Sequence, residues 1–522
     1  MDEEDRLSID LSRPDAPLLC ADTEVSDRLG TPLKPWHIVA TPRAISAVTC
    51  IALFLWVLSG MVAMVPATRL AEDIFCRRHY GRVDRDPINE ELCKADEIQS
   101  SIAWIFGLSM ALGATVGLLV AIPFGALADL RRKPVYLLAA TGQFANVAWS
   151  LLVLQYWRTL PVELILLGPA LELVGGGLTM AIVVLYAIIS DVNAPENRAM
   201  AYFFSSLAAN LAVFVGPPLA SHMMETWSPW VPMSLSLVVT TLAGVMILLV
   251  PETAHNSKKP HGGDHNCLGV KDKRWRSAIA SQFTHVFYNS DLRSVLKKRP
   301  AVMLFLVFVL ASPLPTGLGP LFLQYYSKRF GKSIEDAGYM LAIRGGLTLI
   351  VVGALLPILS KYLSSSACLK ISTFHRDLVL AQASAAFAGL GYFLLGGPNL
   401  AFLTSGMVIL AFSTGIGPLC RSLISNLVEP DQTSQVFTIV SIVEGIGFLP
   451  AGPFLAWAFS SSMRLGGLWL GLPFFFLGGI GFLALLVLCL VDTHSSSNCR
   501  AAAVDGCVQQ SIDRDTQLED AI

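Results

Sequence analysis

Three ionisable side chains stand inside stretches that are otherwise apolar: Glu172, Arg344 and Glu444. A charge in hydrocarbon costs about 2.5–3.5 kcal/mol on insertion scales, so such a residue marks a polar interior rather than a lipid face. A carboxyl group enclosed in a low-dielectric cavity favours its neutral form, which suits it to picking up and releasing a proton. Glu172 and Glu444 are therefore candidate proton carriers. Arg344 is a candidate for binding an anionic or polar part of a ligand, or for pairing with Glu444. The competing reading is a static Glu444–Arg344 pair that only packs. Glycines follow two of the three: Gly175-Gly176-Gly177 just past Val174, and Gly345-Gly346 directly after Arg344. Such runs soften a helix or let helices approach closely.

The elements that carry these residues follow from composition. The chain has 522 residues, 53% hydrophobic and 15% charged, with a mean hydropathy of +0.58. Soluble domains carry roughly 25% charge, so this surface must be hidden in lipid. About twelve segments reach the roughly 20 apolar residues that a bilayer core needs, near 44–66, 101–124, 134–156, 161–189, 200–222, 230–250, 300–322, 337–360, 377–396, 400–420, 435–459 and 467–491. Backbone groups in lipid must be satisfied internally, which makes these segments helices and the protein all-α. At about 1.5 Å per residue, Glu172 lies about 16 Å and Arg344 about 10 Å from the outer ends of their helices, and Glu444 about 14 Å from the inner end of its own. All three fall near the midplane.

Several functions are excluded. A net charge of -2 lacks the basic footprint of a nucleic-acid binder. There is no Walker loop and no nucleophile elbow, so neither ATP-driven pumping nor hydrolase chemistry is expected. His255, His261 and His265 are irregularly spaced in a loop and read as linker rather than as a metal site. No cofactor is expected. The expected partners are a small-molecule substrate, protons and the lipid bilayer, with the protein acting as a monomer.

Loop charge sets the expected topology. Loop 251–299 holds Lys258, Lys259, Lys271, Lys273, Arg274, Arg276, Arg293, Lys297, Lys298 and Arg299, and the turn after the second span holds Arg131, Arg132 and Lys133. Basic short loops stay in the cytosol, which puts both termini inside. The expected organisation is a cytosolic tail 1–43, a six-helix half 44–250, a basic linker 251–299, a second half 300–491 and a cytosolic tail 492–522. Segment 281–298 has the composition of a helix lying along the membrane surface. Cys76 and Cys93 share the first outer loop, 67–100, where a disulfide is plausible because that side meets an oxidising space. The plasma membrane is the default location.

Two patterns point to a family. One is a repeat: Ser190, Pro195 and Glu196 recur as Ser425, Pro430 and Asp431 at one constant offset, Gly216-Pro217-Pro218 is echoed by Gly452-Pro453, and Pro123 by Pro357. The other is Gly125-Ala126-Leu127-Ala128-Asp129-Leu130-Arg131-Arg132-Lys133, between spans 2 and 3. This run resembles the signature loop of the major facilitator superfamily, one residue short and lacking its second glycine. Pro251-Glu252-Thr253 is a triplet common after span 6 in the same family. The resemblance implies two pseudo-symmetric six-helix halves related by an axis along the membrane normal.

The resemblance further implies that spans 1, 2, 4, 5, 7, 8, 10 and 11 line a cavity and that 3, 6, 9 and 12 are peripheral. It implies that Asp129 faces the start of span 11 near Thr433–Gln435 and holds the cytosolic gate closed. Gly125, Arg131, Arg132 and Lys133 belong to the same element, and Asp191, Glu196 and Arg198 look like its counterpart after span 4. Trp56, Asn210, Tyr186, Gln324 and Tyr325 are candidates for the substrate lining. Gly216-Pro217 resembles the core of the antiporter motif of drug exporters. The chain looks like the fungal-type members that export drugs, toxins or metabolites, driven by protons. Proton-coupled uptake is the alternative, since Cys76, Cys93 and the Asp191–Arg198 cluster resemble proton-coupled folate carriers. A non-transporting membrane sensor is the reading from another class.

Overall fold

The computed structural model describes residues 41–82, 90–253, 299–355, 358, 373–427 and 433–491. The expected tails, apart from residues 41–43 at the start of span 1, the linker lysines, the 281–298 surface helix, the three loop histidines, Pro357, Pro430 and Asp431 lie outside these residues.

Among the described residues, eleven helices are long and apolar enough to cross a membrane. The twelfth crossing, the fourth in chain order, is made of two shorter pieces, Val162–Leu171 and Gly177–Val192. Span 1 is Pro42–His79, span 2 Asp96–Leu130, span 3 Arg132–Gln155, span 5 Pro195–Thr226 and span 6 Trp230–Met246. In the second half, span 7 is Arg299–Ala311, span 8 Ile334–Ile350, span 9 Thr373–Leu395 and span 12 Leu472–Cys489. Span 10 joins Leu400–Ala411 to Ile416–Ser425, and span 11 joins Thr433–Phe448 to Ala451–Leu465. A further helix, Pro320–Phe330, lies between spans 7 and 8.

Span 1 runs well past its expected end at residue 66. The helix continues to His79, with Thr68, Leu70, Ala71, Ile74 and Cys76 buried together with the charged Glu72 and Arg77. Its 38 residues rise about 57 Å, against about 30 Å of hydrocarbon.

Each half is held by small residues and buried polar bonds, since apolar burial does not drive helices together in lipid. In the first half Trp56 Nε1 donates to Tyr136 Oη at 2.6 Å, and Tyr136 Oη donates to the Ala243 carbonyl at 2.6 Å. Ser59 bonds Thr240 at 2.6 Å. In the second half Tyr325 packs edge-on against Phe474 with ring centroids 4.7 Å apart.

The two ends of the bundle differ. One carries Arg132, Asp191, Glu252 and Arg299 and is called here the basic end. At the other, Cys76 and Cys93 are joined in a disulfide with their Cα atoms 5.1 Å apart. At this disulfide end the halves meet closely. A Cβ on Gly452 of span 11 would lie 2.3 Å from the Gly107 carbonyl oxygen of span 2, and deeper in the bundle, next to Arg344, one on Gly345 of span 8 would lie 2.8 Å from Phe214 Cα of span 5. Polar contacts add to the closure. Ser100 bonds Ser460 at 2.7 Å and Tyr339 Oη donates to Glu225 at 2.9 Å. Lys328 Nζ donates to the Lys94 carbonyl at 2.6 Å and to the Asp96 carboxylate.

The loop that receives Lys328 is itself pre-organised. Glu72, 1% exposed, accepts from Lys94 Nζ at 2.7 Å, Gln99 Nε2 at 2.6 Å and Arg69 at 3.0 Å. Lys328→Ala should weaken the closed end by on the order of 1 kcal/mol, about fivefold in the open-to-closed ratio. The check is labelling from that end of a cysteine placed at Ser312, in a background without other free cysteines. Labelling that does not accelerate would show that Lys328 is no part of the closure.

Candidate functional site: a cavity closed at one end

A cavity of about 1380 Å³ lies between the halves. It reaches from Met110, Leu314 and Phe448, just inside the Gly107–Gly452 contact, to Gly125, Asp129 and Arg132 at the basic end. Its lining comes from spans 2, 3, 4, 7, 8, 9, 10 and 11. Spans 1 and 5, expected to line it, contribute nothing. They pack on each other, with Gly216 against Met61, and span 5 is covered on its other side by span 8. Span 3 through Gln143 and span 9 through Tyr392 take their place.

The structure brings Glu172, Arg344 and Glu444 together in this lining. Glu172 does not sit in a continuous helix. Helix Gly168–Leu171 ends at it, and Gly175, Gly176 and Gly177 all have positive φ, at 112°, 85° and 52°. L-residues rarely adopt that region, so the glycine run is what allows the break. The broken backbone lies on span 3, where a Cβ on Gly142 would come within 2.9 Å of the Val174 carbonyl oxygen. Glu172 accepts a hydrogen bond from Asn146 Nδ2 at 2.5 Å. Its carboxylate also lies against Gly177, where a side chain would come within 2.6 Å of Oε2. Gly177 opens helix Gly177–Val192, whose unpaired N–H groups and positive dipole end favour an anion there.

Glu444 is not paired with Arg344, the arrangement offered as one alternative from sequence. Arg421 Nη2 donates to both carboxylate oxygens at 2.7 Å. The Arg421 guanidinium lies 5.8 Å from the centre of the Phe308 ring. Arg421 follows the expected end of span 10 by one residue and so reads as loop in sequence, whereas the helix runs on to Ser425. Arg344 lines the cavity from span 8, and its Nε is buried without a hydrogen-bond partner.

The expected polar and aromatic lining is largely absent. Trp56 is 1% exposed and spent on Tyr136. Asn210 bonds back to the Ser206 carbonyl of its own helix at 2.8 Å. Gln324 and Tyr325 are buried on the Pro320–Phe330 helix, where Tyr325 Oη donates to Gly397 at 3.3 Å. None of the four borders the cavity, because spans 1 and 5 face each other and the 320–330 helix lies at the closed end. Tyr186 also lies outside the lining, its ring tilted 55° against that of Tyr202 with centroids 5.7 Å apart, and within electrostatic reach of Arg421. Gln143 and Asn146 were missed. They are neutral amides three residues apart, which puts them on one helix face, in a span the resemblance makes peripheral.

At the basic end the signature loop is braced within its own half. Arg132 pairs with Asp129 at 3.0 Å and Asp191 at 3.1 Å. Glu252 accepts from the backbone N–H groups of Arg132 and Lys133 at 2.8 and 3.2 Å. Arg198 Nε donates to the Ser190 and Asn193 carbonyls at 3.1 and 3.2 Å, capping span 4. Arg131 is exposed. The side chains of Glu196 and of Thr433–Gln435 lie outside what is described. Gly125, Asp129 and Arg132 border the cavity at this end.

A twelve-crossing helical bundle with its ionisable side chains gathered round one interior cavity, closed at one end, has the architecture of a secondary transporter. Residues 94–452 match the Major Facilitator Superfamily, and the chain belongs to that family. It is 30% identical over 437 residues to the MFS efflux pump atnC of Emericella nidulans, covering 80% of this chain and 82% of the relative. It is 24% identical over 437 residues to the efflux pump ustT of Aspergillus flavus, covering 82% and 84%. Among solved structures, the human organic anion transporter MFSD10 superposes with a TM-score of 0.55 at 17% identity, covering 86% of this chain and all of that one.

Proposed function

We propose that the protein exports a small organic compound, a drug, toxin or secondary metabolite, using the proton gradient. The observation that carries this reading is the cavity in which two carboxyl groups, Glu172 and Glu444, share the lining with Arg344. The efflux pumps among its relatives support the direction. In this reading the basic end is cytosolic, both termini lie there, and the described conformation accepts substrate from inside. Residues 1–43, 251–299 and 492–522 are cytosolic segments flanking the two halves, the plasma membrane is the location and the monomer is the working unit.

The two carboxyls take up protons when the cavity opens outward and release them inward. A proton on Glu444 removes the charge that holds Arg421, so that pair separates when the site is loaded. Arg344 contacts the substrate. The Asp129–Arg132–Asp191 cluster, with Gly125, Arg131, Lys133, Glu196 and Arg198, closes the cytosolic mouth in the other state by meeting the start of span 11.

Inside-out membrane vesicles carrying the protein, acidified within, should accumulate a panel of small fluorescent organic compounds, and a protonophore should abolish the accumulation. Accumulation only in right-side-out vesicles acidified outside would replace export with proton-coupled uptake. Binding without movement in either orientation would favour a sensor.

A further inference from the structure

We propose that the cavity is built for an organic acid, a mostly apolar molecule that offers one anionic acceptor to Arg344 and one hydrogen-bond donor to Gln143. The proposal rests on the transport reading above and names the substrate class of the same site.

The first observation is a positive charge with no counter-charge among the described residues. Arg344 lines the cavity, and its Nε–H is buried with no acceptor. Both acids in the membrane-level lining are already engaged. Glu444 is held by both oxygens on Arg421, and Glu172 accepts from Asn146 and rests at a helix N-terminus. Tyr392 lies within electrostatic reach of Arg344, and its hydroxyl is spent on the Leu314 carbonyl. A guanidinium withdrawn from water without a paired anion is costly, and an anionic ligand is the group that relieves it.

The second observation is an acceptor without a donor on the opposite half. Gln143 borders the cavity from span 3, and its Oε1 is buried with no hydrogen-bond partner. A group that only accepts calls for an N–H or O–H from the ligand. Between these two arms the lining is largely apolar, with Leu178, Phe308, Leu314, Ile442 and Phe448 among its residues. The complementary molecule therefore has an apolar body, a carboxylate or similar anion, and a donor. Because the arms belong to different halves, one such ligand bridges the surfaces that must move relative to each other during transport.

The test uses three probes on one fluorescent body: dansylglycine, an anion with a sulfonamide N–H; its methyl ester, which is neutral; and dansylcadaverine, a cation. Binding to the purified full chain in lipid nanodiscs is read from dansyl fluorescence. Dansylglycine should bind at least about tenfold tighter than either of the others, a difference of about 1.4 kcal/mol. Arg344→Gln should erase that preference, and Arg344→Lys should restore part of it, which a merely misfolded cavity would not do. Gln143→Leu should weaken dansylglycine about fivefold while leaving anion over cation. Equal binding of the three probes, tighter binding of the cation, or an unchanged preference in Arg344→Gln would overturn the proposal. Accumulation in proteoliposomes separates the two readings. Arg344-dependent binding without accumulation under a pH gradient would sink transport and leave the anion site standing. Accumulation of dansylcadaverine alone would do the reverse.

Discussion

Glu172→Gln should reduce proton-driven flux to background while leaving the protein folded and in the membrane. The substitution keeps the side chain's size and an oxygen for the bond from Asn146, now 2.5 Å from Glu172 Oε1, so the helix break it supports is preserved. What it removes is the capacity to exchange a proton. Groups that carry a proton in a required step contribute about 100-fold or more, so the loss should be near complete rather than graded. Glu444→Gln should do the same for a related reason, with an added effect. It leaves Arg421 facing a neutral amide where it now holds two oxygens at 2.7 Å. The measurement is accumulation of a transported dye as a function of imposed pH difference, normalised to protein at the membrane. In both variants the dependence on the gradient should vanish. Wild-type flux in both would rule out the proton assignment.

Gly175→Val should remove most folded protein. At φ 112° a residue with a Cβ is strained, and the ideal Cβ would lie 2.4 Å from the Leu138 carbonyl carbon, 2.5 Å from its oxygen and 2.6 Å from Ala139 N. All three are backbone atoms of span 3, which cannot rotate away as a side chain would. Strained backbone costs about 1–3 kcal/mol and overpacking about as much again, so the sum is roughly 2–6 kcal/mol. That is a large part of the about 5–15 kcal/mol that holds a folded domain together. Gly60→Ala is the matched control, since nothing lies within 4 Å of its added Cβ. Thermal melting in detergent should show a marked loss for Gly175→Val and no loss for Gly60→Ala. Equal melting of the two would mean that the break in span 4 is not held against span 3 as described.

Some of this was open to reading from residue order. A bilayer imposes one length on every crossing, so the apolar runs count the spans and place Glu172, Arg344 and Glu444 at mid-depth. The cost of charge in lipid then assigns them to an interior surface, and all three border one cavity. The glycine run marked a place where span 4 softens or packs closely, and the break itself is seen only in the folded chain. The motif from Gly125 to Lys133 and the echo of the first half in the second pointed to the family that residues 94–452 match.

Partnerships were not open to reading in this way. Whether Glu444 meets Arg344 or Arg421 depends on the rotation and tilt of spans 8, 10 and 11, which side-chain packing sets and depth in the membrane does not. Trp56 and Tyr325 have the chemistry of ligand-binding aromatics, yet each is consumed by a neighbour brought from elsewhere in the chain, Tyr136 and Gly397. Gln143 shows the converse, since an uncharged amide in an apolar run sends no signal until the cavity forms beside it, and Asn146 gains its meaning only from its bond to Glu172. The physical reason is one of range. Hydrophobicity and charge act between a residue and its solvent, so they can be read one segment at a time. A hydrogen-bond partner and a face turned toward a cavity are relations between segments far apart in the chain, and they exist only once the helices have packed.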